Sequence, residues 1–298
     1  MKTRMQFMAG LMAAALAVAA QAQPADDPLT RPIAPEYSAR WLGAQAPARI
    51  HGRTHAVGFE GLNVVLVDTG DGLLLFDGAV PQAVDEVEAN IRRLGFSIDD
   101  VRYIFSTEPH YDHAGGIAAL ARDSGATVVA SAAAAEVLRS GRVGPEDPQA
   151  AHLPPFPAVE TVRVVADGET LRLGDTEVVA VATPGHTVGS MSWRWRSCEQ
   201  AGCANIVFAA SLNPVSADGY RFSAHPEVVA TFRTSHAVFR AMPCDILLTS
   251  HPDQQQASRI SRLAAGRVPN PFIDPAACRA YADTSEQRLA ARLADEAR

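Results

Sequence analysis

The chain has 298 residues, with 26 lysines and arginines against 33 aspartates and glutamates, and a formal net charge of −7. Lys2 is its only lysine. Because Lys2 lies in a segment that we expect to be removed, the composition excludes mechanisms that need a lysine, namely Ser-x-x-Lys acylases, Schiff-base enzymes and P-loop nucleotide hydrolases. An acidic chain without basic clusters also argues against a nucleic-acid partner.

The N-terminus has the three parts of a secretory signal peptide. Lys2 and Arg4 form a positive start, the run 7–20 is apolar but short for a membrane span, and Ala-Gln-Ala at 20–22 is a cleavage signal. We therefore predict a signal peptide over 1–22 and a mature protein that begins at Gln23. The mature chain is expected in the periplasm, without a membrane anchor.

The mature chain is predicted to form a single domain over 23–298, with an extended N-terminal arm over 23–46. In the first half, alternating apolar runs and turn residues predict strands at 62–67, 73–76, 101–106 and 127–130. Apolar residues at helical spacing predict helices at 81–94, 117–122 and 132–139. A loop with five prolines follows over 141–159.

The second half repeats this order. A strand-rich block is predicted over 162–182, then strands at 191–195, 206–209 and 246–249, with helices at 226–239 and 274–297. Two halves that each contain strands and helices favour an α/β protein in which two sheets pack together with helices outside. The functional site is then expected at the carboxyl ends of the strands.

All four cysteines lie in the C-terminal third, and export permits disulfides. Spacing favours a short loop, Cys198–Cys203, and a longer clasp, Cys244–Cys278. Four cysteines allow three pairings, and zinc ligation by cysteine is the weaker alternative.

One segment carries most of the chemical information. Residues 107–116 have the sequence Thr-Glu-Pro-His-Tyr-Asp-His-Ala-Gly-Gly and directly follow the predicted buried strand 101–106. The spacing Glu-x-His-x-Asp-His places four metal ligands, Glu108, His110, Asp112 and His113, on one strand-end turn. Imidazole nitrogens and carboxylate oxygens are the ligands of catalytic zinc.

Two more histidines occupy the same kind of position. His186 follows the end of the strand-rich block, and His251 follows strand 246–249. Three strand ends that finish in histidine favour a shared metal centre over an ordinary polar turn.

With these motifs, the sequence resembles the metallo-β-lactamase superfamily, whose hallmark is His-x-His-x-Asp-His with further distal histidines. Within it the chain resembles the subclass B3 metallo-β-lactamases from about Trp41 to the C-terminus. The supporting segments include 77–79, 114–117, 126–131, 183–187, 243–249 and 278–282. The resemblance implies an αββα sandwich with two zinc ions in a groove between the sheets.

The resemblance also implies two ligand sets. The first zinc would be held by Glu108, His110 and His186, and the second by Asp112, His113 and His251. Glu108 departs from the usual histidine, although some members of the subclass carry Gln or Glu there. We expect an intact first site with altered affinity; the alternative is that Glu108 turns away and only the second site fills.

Residues after strand 206–209 bear on the substrate. Many other hydrolases of the superfamily hold a bridging aspartate here, whereas this chain has Ser211. In the subclass that it resembles, hydroxyl groups bind a substrate carboxylate, so Ser211 and Asn213 are the candidates. They could instead satisfy only the turn backbone, and Arg221 or Tyr220 could contribute.

The resemblance implies hydrolysis of β-lactams, including penicillins, cephalosporins and carbapenems, by a zinc-activated hydroxide, with Asp112 orienting the nucleophile. Antibiotic resistance would follow. The alternatives are a lactone or thioester hydrolase of the same fold, and an exported zinc-binding protein without catalysis. Trp41, Leu153 and Phe156 are expected either to line the groove or to pack the loop, and a monomer is favoured.

Overall fold

The structure is a computed structural model that describes residues 27–33, 40–254, 259–264, 266 and 269–298. The predicted signal peptide 1–22, its cleavage site and part of the predicted arm lie outside these residues. Within the described part of the chain, no helix is long and apolar enough to cross a membrane.

Two β-sheets organise the described residues. The first has seven strands in chain order, β1 to β7: Ala48–His51, Thr54–Ala56, Val65–Asp68, Leu73–Phe76, Val101–Phe105, Thr127–Ala130 and Val162–Val164. The second has five, β8 to β12: Thr170–Leu173, Thr176–Ala182, Met191–Glu199, Gly202–Ala209 and Ile246–Thr249. Strands β4 to β7 run parallel to one another, and β12 runs parallel to β11, while the other neighbours are antiparallel.

Most helices cover the outer face of a sheet, while Ile260 and Leu263 of the helix 259–264 pack against the cluster between the sheets. In the described residues they are α1 to α7: Val84–Arg93, Tyr111–Ala114, Ile117–Ser124, Ala132–Ser140, Pro226–Ala241, Arg259–Ala264 and Ala277–Glu296. Apolar residues of α1, α3 and α4 share a buried cluster with the first sheet, and those of α5 and α7 share another with the second.

The alternation of side chains along each strand explains this layering. Leu74 and Phe76 of β4 point to the cluster between the sheets, whereas Leu73 and Leu75 point to the helix layer. The strand β11 alternates in the same way between the two clusters that flank the second sheet. A strand that is apolar on both faces must be covered on both faces, and the result is an αββα sandwich.

Most predicted elements are confirmed within a few residues. Four elements were not predicted: β1, β2, α6 and the short helix α2, which lies where a tight turn was expected. The strand before β4 was predicted to begin at Leu62, whereas β3 starts at Val65. Both favoured disulfides are present: Cys198–Cys203 closes the β10–β11 hairpin, and Cys244–Cys278 ties the start of β12 to α7.

Candidate metal centre

Every predicted metal ligand lies just beyond the carboxyl end of a strand. Glu108, His110, Asp112 and His113 follow β5, His186 follows β9, and His251 follows β12. These strands end at one edge of the sandwich. Strands β9 and β12 both run in the direction of β11, and Thr107, after β5, accepts a hydrogen bond from Met191 N beside the end of β9. The fold therefore brings residues as far apart in sequence as Asp112 and His251 into contact, at 3.2 Å.

Asp112, His113 and His251 form the tightest group, with ligand atoms all within 4.8 Å of one another. The Nε2 atoms of the two histidines are 3.1 Å apart, and Asp112 Oδ2 lies 3.3 Å from His113 Nε2 and 3.2 Å from His251 Nε2. Ligands at tetrahedral zinc, with bonds of about 2.0–2.1 Å, are roughly 3.3 Å apart. The three side chains thus have the spacing and the donor atoms that zinc requires.

Glu108 faces this group and is fully buried. Its Oε2 accepts a hydrogen bond of 2.9 Å from the backbone N–H of Ser211. Its Oε1 has no hydrogen-bond partner and lies 3.0 Å from His113 Nε2. A buried carboxylate oxygen without a donor is costly, and a cation at this point would satisfy it.

Charge is concentrated among these groups. Burial opposes ionisation, but His113 holds the pKa of both Asp112 and Glu108 below the usual range. Burial likewise opposes protonation of His113, yet the two carboxylates raise its pKa well above normal. The pocket therefore stabilises positive charge, which a divalent cation supplies in place of the imidazole proton.

Asp77 fastens the turn that carries the ligands. Its carboxylate accepts hydrogen bonds from Thr107 N at 2.8 Å and Thr107 Oγ1 at 2.7 Å, and its Oδ2 lies 3.8 Å from His113 Nδ1. The next residue, Gly78, donates its N–H to His113 O at 2.8 Å. Burial raises the pKa of Asp77 to about 7, against the opposing effects of His113 and Thr107.

The backbones of Gly116 and Gly78 approach each other closely, which allows these hydrogen bonds to form. A Cβ at Gly116 would meet Gly78 O at 2.2 Å, so only glycine lets the turn after His113 approach this loop.

His110 and His186 form a second, neighbouring pair, with ring centroids 5.0 Å apart. His110 Nε2 lies 2.8 Å from Asp147 Oδ2, which leaves Nδ1 for a metal. His186 Nδ1 lies 2.7 Å from Asn213 O, which leaves Nε2, and Gln149 Nε2 is 3.4 Å from that atom. Each imidazole is oriented through one nitrogen and offers the other, as metal-binding histidines do.

A cavity of about 560 Å³ opens onto these groups. It is lined by residues that include His110, Asp112, His186, His251, Ser211, Asn213, Trp41 and Leu153. Phe156 is not among its lining residues and packs in the core beside the first sheet. Of the alternatives to Ser211 and Asn213, Arg221 donates to Glu296 O, and neither Arg221 nor Tyr220 lines the cavity.

Three residues that support the ligands were missed as functional residues: Asp147, Gln149 and Asp77. Asp147 and Gln149 lie in the proline-rich loop 141–159, where nothing in the local pattern indicates which side chain points inward. Asp77 lies in one of the segments that carry the family resemblance, but the sequence assigns it no partner.

Comparisons with known proteins agree with this geometry. A family model described as the metallo-beta-lactamase superfamily matches residues 57–270. A solved B3 metallo-beta-lactamase with an active-site glutamic acid is 50% identical, with a TM-score of 0.85 over 92% of this chain and 100% of that one. The metallo-β-lactamase MIM-1 from Novosphingobium pentaromativorans is 40% identical, with a TM-score of 0.81 over 86% and 93%.

Similarity to a different enzyme is weaker. A hydroxyacylglutathione hydrolase of Rhodospirillum rubrum is 25% identical over 130 residues, which are 44% of this chain. The chain spans only 42% of the length of that relative.

Proposed function

The chain belongs to the metallo-beta-lactamase superfamily, and from that premise we propose that it is an exported zinc hydrolase of the β-lactam amide bond in penicillins, cephalosporins and carbapenems. The observation that carries the proposal is the group Asp112, His113 and His251, whose ligand atoms lie within 4.8 Å of one another beside the cavity. The B3 metallo-beta-lactamases of known structure, alike over most of the chain, support this substrate class.

We assign two zinc ions to the centre. The proposed ligands are Glu108, His110 and His186 for the first, and Asp112, His113 and His251 for the second. Zinc, when bound, polarises water and the lactam carbonyl, so that hydrolysis proceeds near neutral pH. The Nδ1 of His110, left free by Asp147, supports the first site, and the unpartnered Oε1 of Glu108, 3.0 Å from His113 Nε2, supports a cation between Glu108 and His113.

The side chains of the protein position the reactants. Asp112 lines the cavity and offers a carboxylate that accepts a hydrogen bond from the attacking water and so orients it. Ser211 and Asn213 lie on the same cavity and are the proposed contacts of the substrate carboxylate. No side chain of the protein has to form a covalent intermediate in this scheme.

The proposal predicts metal-dependent turnover. The purified mature protein should hydrolyse nitrocefin and a carbapenem, lose this activity with a chelator and regain it with zinc. Failure to hydrolyse any β-lactam after zinc loading would contradict the proposal.

The hydroxyacylglutathione hydrolase match supports a second candidate, a thioester hydrolase. Cleavage of a hydroxyacylglutathione or a lactone without β-lactam turnover would favour a thioester or lactone hydrolase. Bound zinc without turnover of any of these substrates would favour a non-catalytic zinc-binding protein.

Glu108 decides the occupancy of the first site. An imidazole is neutral, and its nitrogen lies at a different distance from the backbone than a carboxylate oxygen of glutamate does. Glu108→His should therefore change the affinity of one zinc ion and leave the affinity of the other unchanged. Metal content by mass spectrometry, together with turnover, measures this. If both zinc stoichiometry and turnover are unchanged, Glu108 is not a ligand.

We further propose that residues 23–298 form one domain, that the mature protein is a periplasmic monomer without a membrane anchor, and that it confers antibiotic resistance. Sedimentation of the zinc-loaded protein tests the oligomeric state.

A further inference from the structure

We propose that Arg288, on the C-terminal helix α7, binds the carboxylate of the β-lactam substrate and thereby determines the affinity for anionic substrates. This inference rests on the proposed function and adds a charged contact to the two polar ones already assigned.

The cations of the cavity wall are few. Among the described residues that line the cavity, the basic side chains that carry a permanent charge are Arg40 and Arg288. Arg40 lies 3.7 Å from Asp253, so its charge already has a carboxylate partner. For Arg288, no hydrogen bond or ion pair with another described residue is present.

The position of Arg288 on α7 places it beside the part of the cavity wall that contains Asn213. Ser285 Oγ donates to Leu212 O at 2.5 Å, and Arg292 Nη2 donates to Ser216 Oγ at 2.8 Å. Residues three or four apart share one face of a helix, so residue 288 lies between these two contacts on the same face. Segment 212–216, which that face contacts, contributes Asn213, Val215 and Ser216 to the cavity.

The hydroxyl of Ser211 leaves the negative charge of a substrate without a counter-ion. Ser211 is 1% exposed, and its Oγ accepts hydrogen bonds from Asn213 N at 3.1 Å and Gln254 Nε2 at 3.2 Å. It can still donate its proton, but it carries no charge. Asp112 and Asp253 also line this cavity, but Asp112 is assigned to zinc and Asp253 pairs with Arg40. Arg288 is therefore the cation of the cavity wall that is left for the carboxylate of the substrate.

The guanidinium group suits this role. It is planar and always charged, and it binds a carboxylate through two parallel hydrogen bonds. Lys2 is the only lysine of the chain, so arginine is the only side chain outside the predicted signal peptide that supplies a permanent cation.

The test compares Arg288→Gln with Arg233→Gln, which removes the same charge from an exposed position of α5 that does not line the cavity. We expect Arg288→Gln to raise KM for benzylpenicillin about twofold to fivefold, as for an exposed ion pair, with kcat nearly unchanged. The methyl ester of benzylpenicillin lacks the carboxylate, so its KM should be the same for both variants and the wild type. Arg288→Lys should restore part of the affinity.

Ionic strength provides a second measurement. The KM of the wild type for benzylpenicillin should rise with salt, and this rise should be smaller in Arg288→Gln, because salt screens exposed charges.

The outcomes separate the two proposals. If the wild type hydrolyses no β-lactam, the proposed function fails, and the inference fails with it. If the wild type is active but Arg288→Gln has the KM of Arg233→Gln, only the inference is overturned. A rise in KM that is equal for benzylpenicillin and its ester would overturn it as well, because the lost contact would then not involve the carboxylate.

Discussion

At the scale of single residues, the ligands depend on partners that lie far away in sequence. His110 Nε2 contacts Asp147 Oδ2 across 37 positions, and the other oxygen of Asp147 accepts the N–H of Gln149 at 2.8 Å. The carboxylate is 7% exposed, so it is held in place and fixes the orientation of the His110 ring, which leaves Nδ1 for the proposed zinc. We therefore expect Asp147 to act on the proposed first zinc ion through His110.

We predict that Asp147→Ala weakens the affinity of one zinc ion about 10–100-fold, the usual effect of losing a partner of a metal-binding histidine. Asp147→Asn, which keeps an acceptor but not the charge, should be intermediate. Asp218→Asn is the matched control, because Asp218 is exposed and does not line the cavity. Competition with a chromophoric chelator measures the affinity, and an unchanged affinity in Asp147→Ala would contradict the assignment.

The sequence predicted the candidate ligands better than the residues that hydrogen-bond to them, for a physical reason. Ligands at strand ends repeat a visible pattern of a buried strand followed by histidine, as at His186 and His251. Asp147 and Gln149, which contact the ligands, lie in a loop without periodicity, and their role depends on how that loop folds back onto His110 and His186. Such a tertiary contact leaves no local signal in one sequence.

At the scale of elements, the strands and helices with strong periodicity were predicted, and the exceptions have local causes. Strand β1 has a register shift between Arg49 and His51, and β2 has three residues, so neither shows a clear alternation of apolar side chains. The predicted start of β3 was wrong because Asn63 bonds across to the other sheet: its N–H donates to Ser250 O at 2.9 Å, and its side chain donates to Thr249 O at 2.6 Å. That contact joins the two sheets beside His251.

The two disulfides should contribute unequally to stability. Cys198–Cys203 closes a hairpin with a separation of 5 residues, whereas Cys244–Cys278 spans 34. Since a longer loop restricts the unfolded chain more, replacing both cysteines by alanine should lower the free energy of unfolding by roughly 4 kcal/mol for the long clasp and about 2 kcal/mol for the short loop. Guanidinium chloride denaturation of the two double variants measures this, and an equal loss would count against the loop-entropy explanation.

At the scale of the whole molecule, the two sheets bring distant parts of the chain to one edge, and this produces the centre. The lysine count adds a second constraint. Because Lys2 is the only lysine, negative charge on a substrate must be met by zinc, by arginine or by neutral donors. Arg288, Ser211 and Asn213 line the cavity, and they are the groups that we propose for that purpose.

The single lysine also makes removal of the signal peptide measurable. If the signal peptide is removed after Ala22, the mature protein has no lysine, and the α-amino group of Gln23 is its only primary amine. An amine-specific reagent should then add at most one label to protein from the periplasmic fraction, and none where Gln23 has cyclised. An uncleaved chain carries Lys2 and its α-amino group, so two labels per intact molecule would contradict cleavage. Intact mass before and after labelling distinguishes these cases and also gives the position of the cut.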